Sequence, residues 1–77
     1  MRRLSTKARK ALILLASYPD GVEELFVIAH GIKRGMLHRL VFAGLATIVD
    51  ETMQTGASTI TIERYRITDD GQKALKD

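Results

Sequence analysis

The hydrophobic period of this chain changes at Gly44, and that change constrains the fold more than any other feature. Before it, apolar residues recur at helical spacing, with Ala8, Ala11, Leu12 and Leu15 at i, i+3, i+4 and i+7. After it, "ATIVDETM" (46–53) and "STITIERYRIT" (58–68) are rich in Ile, Val, Thr and Tyr, and the glycine-bearing "QTGA" (54–57) separates them. Two such runs about a short glycine turn read as a β-hairpin. Helices followed by a hairpin imply an α+β fold.

The punctuation residues divide the first half into three helices. Ser5 or Thr6 caps a helix that runs to about Ser17, and Pro19-Asp20-Gly21 ends it in a turn. A second helix is expected from near Val22. Glu23 and Glu24 occupy its first turn, Leu25, Ile28 and Ala29 face inward, and Phe26 and Val27 make it apolar on most sides. Gly31 breaks it. About three residues later "KRGMLHRLVFAGL" (33–45) begins a third helix, from Lys33 to Ala43, with Gly44 as its left-handed end and Leu45 supplying the accompanying apolar contact. Beyond the hairpin, Thr68 caps a short last helix with Asp69 and Asp70 at its positive end.

A short glycine turn between two helices is the helix-turn-helix signature. The whole order predicts a small winged helix-turn-helix: a three-helix core, a hairpin wing at about 46–67 and a short C-terminal helix. The expected helix-turn-helix covers about 22–43 of a single domain spanning 1–77, with residues 1–4 as a disordered basic arm.

Charge placement indicates the partner. The 77 residues carry a net charge of +3, which suits a polyanion. Arg2, Arg3, Lys7, Arg9 and Lys10 precede the first acid, Asp20, and Lys33, Arg34 and Arg39 fall in an acid-free stretch from Val27 to Val49. Two separated basic blocks become one patch if the fold joins them. The chain has no cysteine, hence no disulfide framework or thiolate metal site, which suits a reducing cytoplasm. The basic start resembles a leader, but the apolar run Ala11–Ala16 is too short for one or for a membrane span, so a basic first helix is expected. His30 and His38 sit on different helices, and no Ser-His-Asp set, paired-carboxylate pocket or phosphate-binding glycine loop occurs. Neither an enzyme, a metal, a cofactor nor a small-molecule ligand is expected.

The third helix has two unlike faces. At about 100° per residue, Leu37, Leu40, Val41 and Gly44 share the inward face, and Gly35, His38, Arg39 and Phe42 lie opposite. The outward face is cationic and lacks carboxylates. Lys33 and Arg34 stand in the first turn, the end of a recognition helix that reaches base edges. Their charge opposes the helix dipole, and a phosphate would offset that cost. Gly35 would let the backbone approach DNA closely. His38 suits a phosphate or base contact, or plain solvent, equally well. Phe42 fits packing against the wing or a partner better than a base contact, and Met36 fits the core edge. Arg64 and Arg66 are open to two readings, as DNA-backbone contacts or as guards of an exposed strand edge. By alternation Ile60 and Ile62 share their face, opposite Tyr65 and Ile67. A bulge near Glu63 would switch the faces; without one, the isoleucines are exposed and form a candidate partner interface with Phe42.

Three segments resemble winged-helix regulators. "ALILLASYPDGVEEL" (11–25) is similar to their first helix, turn and second-helix start, and "LVFAGLATI" (40–48) to the end of their recognition helix. "ERYRITDDGQKAL" (63–75) resembles the wing exit of MarR- and PadR-type regulators. The resemblance implies a transcriptional regulator that binds double-stranded DNA through helix 33–43, with Arg2, Arg3, Lys7 and Lys10 adding backbone contacts. The chain departs from the pattern at the wing tip, residues 50–58, which carries Asp50 and Glu51 but no lysine or arginine. The main rival is a winged helix used for protein–protein contact, supported by the acidic wing and by Phe26, Phe42, Ile60 and Ile62. General nucleic-acid binding through charge alone is a third reading, although no exposed aromatic pair offers single-strand stacking. With no long apolar heptad after Leu75, a monomer or weak homodimer is expected.

Overall fold

The computed structural model describes residues 4–76, which form α1 (Thr6–Ala16), α2 (Glu24–Ala29), α3 (Arg34–Phe42), β1 (Ala46–Thr55), β2 (Ser58–Ile67) and α4 (Asp69–Lys76). This is an α+β arrangement in which β1 and β2 pair as an antiparallel hairpin. No helix among the described residues is long and apolar enough to cross a membrane.

α1 supplies the centre of the core. The Ser5 hydroxyl accepts from the Ala8 N–H at 3.1 Å and caps the helix. Ala8, Ala11, Leu12 and Leu15 are all buried, as their spacing predicts. Leu4, assigned by sequence to the basic arm, is half-buried against this core.

The segment after α1 differs from its expected form. Gly21, at φ +96°, closes a turn through its N–H to the Tyr18 carbonyl at 2.8 Å. A side chain there would also crowd β2, since a Cβ would stand 2.9 Å from Arg66 Cγ. Val22 is not helical. Its N–H donates to the Tyr65 carbonyl at 3.0 Å, and its own carbonyl accepts from the Tyr65 N–H at 2.7 Å. This bridge delays α2 to Glu24 and sets its roll. Val27 is therefore the buried residue and Phe26 the half-buried one, while Leu25, Ile28 and Ala29 face solvent, the reverse of the sequence expectation. A six-residue helix has too little stripe of its own to choose its face; the tethers at its ends choose it.

α2 and α3 end in the same way. Gly31 (φ +86°) and Gly44 (φ +78°) each follow a helix in the left-handed region. Gly31 N–H bonds the Ile28 carbonyl at 3.0 Å and Ile32 N–H the Val27 carbonyl at 3.3 Å; Gly44 N–H bonds Val41 at 3.0 Å and Leu45 N–H bonds Leu40 at 2.9 Å. Both sets have the 5→2 and 6→1 pattern of a Schellman end. The residues after each glycine, Ile32 and Leu45, then turn back into the core.

The hairpin is longer and more regular than its sequence suggested. Pairing runs unbroken from Ala46↔Ile67 to Thr55↔Ser58, leaving a two-residue turn at Gly56-Ala57. Gly56 has φ +62° and no non-glycine residue among the described residues, Ala57 included, has positive φ, as a type II′ turn requires. No bulge occurs near Glu63, so Val49, Met53, Ile60 and Ile62 lie on the face opposite Tyr65 and Ile67. Ala46 and Tyr65 anchor the base in the core; Val49, Met53 and Ile60 are exposed. At that base Thr68 joins two helix ends. Its hydroxyl donates to the Gly44 carbonyl at 2.7 Å and accepts from the Gly71 N–H at 3.0 Å. Gly71 is buried, and a Cβ there would be driven into the Leu45 carbonyl oxygen.

Candidate nucleic-acid interface

α3 presents its two faces as its spacing requires, except at Gly44, which was expected on the inward face but lies past the helix end in the left-handed region and is exposed. Leu37 and Leu40 are buried and Val41 is half-buried, whereas Arg34, Gly35, His38, Arg39 and Phe42 are exposed. Phe42, at 84% exposure, packs on neither the hairpin nor the core. Lys33 is the N-terminal flanking residue of α3. It offers no side-chain cap, and the first turn holds no carboxylate, so the positive end of the helix dipole is unneutralised by α3 itself.

The fold unites parts of the two basic blocks. Lys7 and Lys10 of α1, Gly31 and Ile32 of the connecting turn, and Lys33 and Met36 line one recess of about 170 Å³. No carboxylate lines it. Lys7, Lys10 and Lys33 take part in none of the ion pairs formed among the described residues. Arg9 points away, with its Nη1 donating to the Leu75 carbonyl at 3.0 Å and so tying α1 to α4. Arg2 and Arg3 lie outside the described residues.

The other flank of α3 has the opposite character. The Arg34 Nε donates to Glu24 Oε1 at 2.8 Å, across the α2–α3 turn. Glu23, Glu24 and Glu63 surround a recess of about 270 Å³ between α2 and β2, together with Leu25, Thr61 and Ile62. Burial pushes the nearby Tyr65 phenol above its ordinary pKa; Glu24 and Glu63 push the same way and Arg34 opposes them. The hairpin cations are engaged at home. Arg64 Nε stands 3.0 Å from Glu51 Oε2, near enough for an ion pair though poorly aligned for a hydrogen bond, and Arg66 Nε donates to the Pro19 carbonyl at 3.0 Å.

Of the sequence candidates, Lys7, Lys10 and Lys33 therefore converge, and Gly35, His38 and Arg39 lie open on the adjoining helix face. Arg34, Arg64 and Arg66 are held by internal partners. Sequence reading missed the Glu24–Arg34 pair because its members lie ten positions apart on different helices, outside the i, i+4 rule. No family model matches this chain, and neither curated proteins nor solved structures give a match.

Proposed function

We propose that this protein is a winged helix-turn-helix module that binds duplex DNA, with α3 in the major groove and the hairpin as the wing. In this reading it is a cytoplasmic regulator of transcription and has no enzymatic role. The observation that carries the reading is the juxtaposition of two cationic blocks: the Lys7–Lys10–Lys33 recess adjoins a helix face bearing Gly35, His38 and Arg39 and no carboxylate. In helix-turn-helix binding the N-terminal residues of the second helix reach base edges while neighbouring elements meet the backbone. In this reading Arg34 and Gly35, in the first turn of α3, take the first task, His38 and Arg39 extend the same exposed face toward the helix end, and the lysines take the second. Arg34 does so by giving up Glu24, an exposed pair of the kind worth about 0–1 kcal/mol.

Titration of the chain with a random duplex across a salt series tests the reading. With four to six phosphate contacts, log K falls against log salt with a slope of about −4 to −5. A flat salt response, or no binding at low salt, overturns it. The apolar hairpin strip of Val49, Met53 and Ile60 supports a second reading, contact with a protein partner, and that reading is favoured if DNA binding fails.

A further inference from the structure

We infer that the Lys7–Lys10–Lys33 recess seats a phosphate of the DNA backbone, and that the duplex lies across α1 and α3 with the hairpin held off it. The inference rests on the DNA reading above and fixes how the duplex sits. Lys7, Lys10 and Lys33 converge from two elements on one recess with no carboxylate in its lining. Gly31 forms part of that lining and has open space where a Cβ would stand, so a phosphate oxygen can approach the backbone there. The nearby start of α3 adds the positive end of its dipole without a capping side chain.

The opposite flank is acidic, and its hairpin cations are engaged. Arg64 is paired with Glu51 and Arg66 with the Pro19 carbonyl. The hairpin tip has no lysine or arginine, and Asp50 stands directly opposite Glu63 in the register. Glu23, Glu24 and Glu63 line the recess between α2 and β2. Carboxylates brought within a Debye length of phosphates, about 8 Å at physiological salt, are repelled with little screening. A duplex reaching from α3 across α2 to β2 would cross this acidic recess; one bridging α3 and α1 would cross the lysines. Met36 lines the lysine recess and Arg34 reaches Glu24, so the two flanks leave opposite sides of α3.

Binding of a random duplex across a salt series, measured for two sets of variants, tests this seating. Lys7→Gln, Lys10→Gln and Lys33→Gln should each make the salt slope shallower, and the triple variant, which loses the one seated phosphate, should do so by about 0.9. The double variant Asp50→Asn, Glu63→Gln is exposed on the hairpin and should bind within twofold of the wild type. Circular dichroism melts confirm that each variant is folded. If the lysine variants keep the wild-type slope, or the hairpin variant tightens binding tenfold, the duplex lies on the hairpin side and the seating is wrong, while the DNA reading survives. If the wild type itself does not bind, the DNA reading fails and takes this inference with it.

Discussion

Leu37 and Arg39 stand two residues apart on α3 and meet opposite surroundings, which makes them the most informative pair of single substitutions. Leu37 is fully buried beside Leu12 and Leu15 in the core. Leu37→Ala should cost about 2–5 kcal/mol, through lost burial and the cavity left behind, enough to unfold a domain of this size. Arg39 is exposed and in no ion pair among the described residues, so Arg39→Ala should change stability by less than about 0.5 kcal/mol. It should nevertheless weaken duplex binding, by about 1–3 kcal/mol at a preferred site if the guanidinium forks onto guanine. Lys73→Ala, on the exposed side of α4, serves as the control. Melting temperature and duplex affinity measured on all three variants separate packing from recognition; wild-type affinity in Arg39→Ala would remove α3 from the DNA reading. Tyr65 adds a pH dependence whose sign is fixed. Its pKa is raised in the folded state, mainly by burial, so the unfolded chain loses the phenolic proton first. The contribution is fully present below the ordinary tyrosine pKa of about 10 and is lost as pH rises through the folded value. The melting temperature of wild type should thus fall more steeply above about pH 10 than that of Tyr65→Phe. Parallel curves for the two proteins would contradict the assignment.

Among the elements, the hairpin departs furthest from ordinary packing. Its base is held by Ala46, Tyr65 and the Val22 bridge, yet the strands continue ten residues each and their outer halves lie on no helix. A two-stranded hairpin unsupported on either face is marginal in water, and the like charges of Asp50 and Glu63 face each other across it. Amides of residues 50–62 should therefore exchange fastest among the ladder positions, and those of α1 near Leu12 slowest. Equal protection along the hairpin would mean that something covers its outer half in solution. The elements also mark where the sequence was readable. Gly44 and Leu45 identified the end of α3, because a left-handed glycine followed by an apolar residue is a local device. Four apolar positions at helical spacing identified the buried face of α1 for the same reason. α2 was misread because its roll is fixed by Val22 pairing with Tyr65, more than forty residues away. The close packing at Gly71 was not legible, since only the packed structure places the Leu45 carbonyl against it. The candidate interface divides likewise: the face of Gly35, His38 and Arg39 follows from periodicity alone, whereas the meeting of Lys7 and Lys10 with Lys33 depends on how α1 packs.

At the scale of the whole molecule, charge and apolar surface are segregated, and this decides how copies should meet. The lysine recess lies toward α1, while the carboxylates of Glu23, Glu24 and Glu63 lie toward the hairpin with Leu25 and Ile62. The apolar strip on the outer hairpin face spans the pairs from Val49↔Arg64 to Met53↔Ile60. Five pairs at about 3.4 Å rise and two strands about 4.8 Å apart give a face of about 160 Å². Even doubled, and with allowance for side-chain relief, that is well below the roughly 1,200 Å² buried by a standard stable interface. The Glu51–Arg64 pair also crosses the strip and would have to be desolvated or re-paired on docking. The chain should accordingly sediment as a monomer at micromolar concentration, with only weak self-association at higher concentration. Ile60→Lys removes part of the strip and adds a charge, so it should abolish that weak association and leave the melting temperature nearly unchanged, since Ile60 is about half exposed. Sedimentation equilibrium on both proteins measures this directly. A tight wild-type dimer that Ile60→Lys dissociates would show that the hairpin face is a true subunit interface, and would make its outer half part of a core shared between two chains.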